Sequence, residues 1–116
     1  LTDKTYDNSL IGIWTGNAVS DEGYYKNWIH KKKKDGSYQT SFFYYKNGLY
    51  EYFEKVSGKW WVSKNNLYQL ESWMSKPITY QYVELSDGCI KYTLVTDDAG
   101  TDVSVGYTFK ECAYKG

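Results

Sequence analysis

Side-chain catalysis in this chain would have to start from His30, its only histidine. A single histidine excludes a multi-histidine metal site and leaves no spare base for a Ser-His-Asp arrangement. It shares a strand face with Trp28 and Tyr24 and reads as a partly buried or surface histidine rather than a pocket contact. Glu51 and Glu54 are an odd number of residues apart on one strand, so they point to opposite faces and cannot act as an acid–base pair. Glu51 and Glu71 would meet only if their strands lie close in the fold. Asp97, Asp98 and Asp102 crowd one turn. Oxygen ligands of that kind suit calcium, but Asp in a turn also bonds its own backbone, and a solvated turn is the expected state. Cys89 and Cys112 alone make a poor zinc site. These residues carry no enzyme mechanism, so the chain is read as a non-enzyme without cofactor or metal.

Composition bounds the rest. The 116 residues suffice for one domain with a core and are too few for two, giving a single domain over 1–116 with a polar lead-in at 1–9. The formal charge is zero, and all 14 basic residues are lysines. There is then no global field for nucleic acid or an anionic membrane, and no Arg fork for phosphates or guanine edges. No apolar run approaches the roughly 20 residues of a membrane-spanning helix. No signal peptide precedes Leu1-Thr2-Asp3-Lys4, a start that reads as a trimmed boundary. Lys31-Lys32-Lys33-Lys34 is the one charge run, read as a solvated strand end that discourages edge pairing.

Aromatic residues make up 20% of the chain, with 14 Tyr and 5 Trp, a composition suited to strands with cross-strand ring packing. Gly, Asn, Asp and Ser clusters divide it into nine expected strands: 10–19, 24–33, 37–45, 49–56, 59–63, 67–74, 78–85, 89–96 and 103–112. A helical turn is expected near 6–9. Asp35-Gly36 is the sharpest hairpin signal, matching a type I′ turn, and Asn47-Gly48 repeats it. Ser57-Gly58 is read as a strand end. No stretch has a sustained helical period. The fold predicted is an all-β, antiparallel up-and-down meander closing into a barrel of eight or nine strands.

The final hairpin fixes its own register. Folding it about Gly100-Thr101 sets Tyr92 against Phe109, Leu94 against Tyr107, Thr96 against Val105, Thr93 against Thr108 and Cys89 against Cys112. A slip by one residue breaks every match. Lys91 then faces Lys110, which marks that side as the solvent side. A Cys89–Cys112 disulfide as an outward cross-strand staple is expected, and with it an oxidising location, secreted or periplasmic. Trp60 and Trp61 are adjacent, so one belongs to the core and the other is exposed or lines a pocket.

Gly12-Ile13-Trp14 after a polar lead-in, with Thr96-Asp97 before a late hairpin, resembles the lipocalins and the wider calycin group. Asp35-Gly36-Ser37-Tyr38 and Gly58-Lys59-Trp60 are similar to hairpin patterns of bacterial lipocalin-like proteins. The resemblance implies a barrel around a small hydrophobic or amphipathic ligand. Two features depart from it: the chain has no room for the long C-terminal helix, and it has no Arg to pack over the signature Trp14, leaving Lys110 or Lys115 as substitutes. Fatty-acid-binding proteins grip a carboxylate through Arg, which makes that ligand class less suited. The expected ligand contacts are Trp28, Phe42, Tyr44, Trp60, Tyr80 and Tyr82. The alternative is a recognition module that binds a protein or glycan through surface aromatics.

Overall fold

A computed structural model describes residues 5–19, 22–96 and 105–114. Eight strands follow in order: β1 (Gly12–Val19), β2 (Tyr24–Lys32), β3 (Ser37–Lys46), β4 (Leu49–Ser63), β5 (Asn66–Glu71), β6 (Ile78–Glu84), β7 (Cys89–Thr96) and β8 (Thr108–Ala113). Each pairs antiparallel with the next, and β1 pairs with β8 through Trp14↔Ala113 and Thr15↔Cys112, which closes the barrel. The expected meander is therefore observed.

The count is eight because residues 49–56 and 59–63 form one continuous strand. Gly58 does not turn the chain. It pairs with Glu71, and a Cβ at this position would lie 2.2 Å from the Leu70 carbonyl oxygen. The glycine allows a close backbone approach within a strand rather than a reversal. Asp35-Gly36 also differs from expectation. Only Gly36 has positive φ, and its N–H donates to the Lys33 carbonyl at 3.1 Å. That is a tight turn followed by a left-handed glycine, one residue longer than a type I′ hairpin. Positive φ at two successive central residues occurs at Asn47-Gly48, as expected, and at Lys64-Asn65.

The last hairpin adopts the expected register, with Cys89↔Cys112, Lys91↔Lys110, Tyr92↔Phe109 and Thr93↔Thr108. Leu94 bonds Tyr107 through its N–H at 2.8 Å. The Cys89–Cys112 disulfide is formed. It alternates with the inward Ile90, Tyr92 and Leu94, although Cys89 itself is buried. The hairpin tip at Gly100-Thr101, the Asp97, Asp98 and Asp102 cluster, the Thr96–Val105 pairing and Lys115 fall wholly or partly outside the described residues.

From Thr5 onward the lead-in is tied to the barrel. Thr5 and Val62 exchange backbone hydrogen bonds of 2.9 and 2.7 Å, and the Tyr82 hydroxyl donates to Asp7 at 2.8 Å. A short 3-10 turn, Asn8–Leu10, is capped by the Asp7 carboxylate, which accepts from the Ser9 N–H. This carries Leu10 into one end of the barrel, where it is fully buried with Trp14, Tyr38, Trp60, Val62, Leu67, Ile90 and Tyr92. The indole N–H groups there are satisfied: Trp14 donates to the Leu10 carbonyl and Trp60 to the Lys33 carbonyl, both at 2.9 Å. Trp61, on the opposite face from Trp60, is stacked by Tyr68 at 5.6 Å and, as expected of one of the two, lines a pocket, a surface one bordered also by Tyr6, Asp35 and Lys59. Lys110 does not pack over Trp14. It faces outward and reaches Asp87 at 3.6 Å.

Candidate functional site

β2 supplies the core of the site through its period of two. Trp28, His30 and Lys32 fall on one face, and all three are buried inside the barrel. Trp28 lies across Gly16 of β1. A Cβ at Gly16 would come within 2.4 Å of the indole, so this glycine is needed to seat the ring. β3 contributes Tyr38, Thr40 and Phe42 on its inward face, directly opposite Lys32, His30 and Trp28. β8, separated from β2 only by β1, adds Phe109 and Glu111.

Above the plugged end these residues enclose a cavity of about 150 Å³. Its walls are Trp28, Phe42, Ile78, Tyr80, Tyr107 and Phe109, with Lys26, His30, Tyr38, Thr40, Gln69, Glu71 and Glu111 supplying the polar groups. Rings of Trp28, Phe42, Phe109 and Tyr80 meet one another at centroid distances of 5.5–6.1 Å. Lys26 sits at the mouth with Nζ 5.7 Å from the Trp28 ring and 5.4 Å from Phe42. Lys26 and Tyr107 also border a second groove of about 350 Å³ on the rim, formed with Ala18, Tyr24, Tyr25, Tyr44 and Tyr52.

The cavity floor is charged. The Glu111 carboxylate accepts from the Trp28 indole at 2.8 Å and lies 3.9 Å from both Lys32 Nζ and His30 Nδ1. The His30 Nδ1 is bonded to the Thr40 hydroxyl at 2.8 Å, and its ring stacks on Tyr38 at 5.1 Å. Burial, followed by the charge of Lys32, holds the His30 imidazole well below its ordinary range, so it is neutral. Burial lowers Lys32 against the opposing pull of Glu111, and it raises Glu111 against Lys32 and the Trp28 bond. Several buried atoms here have no hydrogen-bond partner among the described residues: His30 Nε2, Lys32 Nζ, Tyr38 Oη, Tyr92 Oη and Glu111 Oε1. Buried polar groups normally find partners, and each one left alone costs about 1–3 kcal/mol. Among the described residues no three His, Cys, Asp or Glu side chains are placed to share a metal ion.

The six residues expected at a ligand do not form one cluster. Trp28, Phe42 and Tyr80 line the cavity together. Tyr44 stands at the rim, stacked on Tyr52 at 4.4 Å and donating to Glu54. Trp60 lies in the plug, and Tyr82 packs against that core while holding Asp7. Two expectations are overturned on β2. Lys32 is not part of a solvated run: it is 1% exposed, while Lys31, Lys33 and Lys34 face water. His30 is an inward cavity residue, not a surface one. The signal for both was the alternation from Trp28, which continues through His30 to Lys32. Of the acids, Glu71 lines the cavity, and the carboxylate whose charge it feels is Glu54, not Glu51.

Fold and site together define a closed eight-stranded meander barrel, consistent with the calycin group, plugged at one end and carrying a small aromatic cavity over a polar floor. Comparison with family models, curated proteins and solved structures finds no match to the chain.

Proposed function

We propose that this protein is a lipocalin-like, non-catalytic binding protein for a small amphipathic molecule held in the barrel. The observation that carries this reading is the set of buried, unpartnered polar atoms beneath an aromatic-walled cavity. His30 Nε2, Tyr38 Oη and Glu111 Oε1 belong to lining residues, and a ligand polar group would satisfy them. The cavity is below the roughly 300–1,000 Å³ typical of drug-sized ligands. At about 150 Å³ it suits one ring or a short apolar body between Trp28, Phe42 and Phe109. Anything longer would extend past Lys26 into the rim groove. The Cys89–Cys112 disulfide supports a secreted or periplasmic setting for this role.

Native mass spectrometry of the purified protein, followed by thermal-shift screening with small phenols, aromatic amines and short amphiphiles, tests the proposal. A retained small molecule, displaced in a Thr40→Phe variant that still folds, is the expected result. A protein that retains nothing and whose melting temperature no compound raises would sink it. The second reading, recognition of a protein or glycan, is favoured by a separate observation: Tyr24, Tyr25, Leu49, Tyr50, Tyr52 and Phe53 are all exposed at the open end.

A further inference from the structure

The polar floor of the cavity constrains what can rest on it. Glu111 and His30 line the cavity and are only 3 and 4% exposed. Glu111 Oε2 already accepts the Trp28 indole N–H, whereas Oε1 has no hydrogen bond among the described residues. Lys32 Nζ, at 3.9 Å from Oε1, supplies the opposite charge but is too far for a hydrogen bond. Paired with that cation, Glu111 is a carboxylate, and Oε1 can only accept. The group above it must therefore carry a donor. His30 adds a second condition. Its Nδ1 is taken by the Thr40 hydroxyl, which leaves Nε2 as the open nitrogen. On a neutral imidazole that nitrogen donates in one tautomer and accepts in the other. A hydroxyl answers both tautomers, whereas a carboxylate or an ammonium answers one.

Charge narrows the choice. Lys32 and Glu111 stand at the floor, and the less buried Lys26 and Glu71 in the wall. These charges cancel. A charged ligand would add one that no partner offsets, which is costly in a buried site. An organic cation meets a further obstacle, because the Lys26 ammonium already lies over the Trp28 and Phe42 rings at 5.7 and 5.4 Å. The walls then set the body. About 150 Å³ accommodates one benzene-sized ring. Trp28 meets Phe42 and Phe109 at interplanar angles of 53 and 78°, and Tyr80 meets Phe109 at 88°. Rings tilted in this way present both edges and faces, which suits a planar aromatic guest.

We infer, on the reading of this cavity as a ligand site, that it takes an uncharged, hydroxyl-bearing aromatic ring of phenol size, with the O–H donating to Glu111 Oε1. The ring lies between Trp28, Phe42 and Phe109. The hydroxyl gives the buried carboxylate the donor it lacks, and a hydrogen bond to a charged acceptor is worth more than one between neutral groups. Aromatic acids are disfavoured by Glu111 itself, and aromatic amines that are protonated at neutral pH by Lys26 and Lys32.

Isothermal titration calorimetry of the whole chain at neutral pH tests this, with phenol, toluene, benzoate, benzylamine and benzyl alcohol as probes. Phenol should bind about tenfold or more tightly than toluene. Benzyl alcohol, as large as the two charged rings, should bind more tightly than either. In a Lys32→Met, Glu111→Gln double variant, which exchanges the ion pair for a neutral acceptor, the margin of phenol over toluene should shrink to about threefold or less. Near-ultraviolet circular dichroism reports whether that variant keeps the barrel. A second measurement needs no variant: in carbon-13-labelled protein the Glu111 carboxyl resonance should move with phenol and stay in place with toluene. Toluene binding as tightly as phenol, or a charged ring binding as tightly as benzyl alcohol, overturns the inference and leaves the cavity a ligand site. So does a longer amphiphile that binds where none of these rings does. A phenol margin unchanged in the folded double variant, or a Glu111 carboxyl carbon that saturating phenol does not move, puts the hydroxyl elsewhere and overturns it equally. A chain that binds nothing overturns both this inference and the reading beneath it.

Discussion

The two ends of the barrel use the same residue types in opposite ways. At the plugged end Trp14 and Trp60 are packed by Leu10, Val62 and Leu67, and both indole N–H groups reach carbonyls. At the open end Trp28, Phe42 and Phe109 stand around space, above polar atoms that lack partners. The first arrangement maximises burial and gives both indole N–H groups a carbonyl partner. The second leaves favourable contacts unmade, which is the usual condition of a binding site. Stability and recognition are thus assigned to different halves of one tube, and the lead-in strap decides which half is which.

The contrast breaks most visibly in the plug and in the buried charges between the two ends. Trp60→Ala should cost about 3–5 kcal/mol in urea unfolding, and Phe42→Ala at the cavity wall less than half as much. Equal losses would mean that the cavity wall is ordinary core. Lys32→Met should cost about 3–5 kcal/mol, because it leaves Glu111 buried without its cation. Adding Glu111→Gln, which keeps an acceptor for the Trp28 indole, should recover most of that loss. Next in size is the disulfide: Cys112→Ser should lower stability by about 2–4 kcal/mol, compared with the oxidised wild type.

A pH series sharpens the picture of the cavity floor. The folded pKa of His30 lies below its ordinary 6.5, chiefly through burial. Its contribution is therefore complete above pH 6.5 and declines as the pH falls from there toward the folded value. The total loss expected is about 1.4 kcal/mol for each pKa unit of depression. Glu111 acts with the opposite sign, since its folded pKa is raised and its protonation favours the folded state. His30→Phe should remove the loss below pH 6.5, as read by denaturation midpoints; a slope unchanged in that variant would place the titrating group elsewhere. The smallest effect is expected at the mouth. Tyr107→Ser should change stability by no more than about 0.5 kcal/mol while weakening retention of the cavity ligand. A large destabilisation there would extend the core to the rim.

Much of the barrel was legible before the fold was known. The Cys89–Cys112 hairpin was readable because one register satisfies cysteines, apolar pairs and Thr93–Thr108 together. Gly58 was misread because a glycine in a strand looks the same whether it turns the chain or admits a neighbouring backbone. Lys32 was misread because a run of four lysines suggests solvent, although alternation from Trp28 turns one of them inward. Its partner, Glu111, lies 79 positions further along a different strand, and no local pattern connects the two.

The sequence by itself determined the all-β strand-and-turn pattern except for the continuity of β4 through Gly58, the consecutive antiparallel order and the last hairpin's register, because period-two patterning and turn chemistry are local properties of the chain. Only the tertiary structure decided which end is plugged, which aromatics surround space and which charges are buried together. Those outcomes depend on closure of β1 against β8 and on the strap that carries Leu10 into the barrel, contacts between residues far apart in sequence.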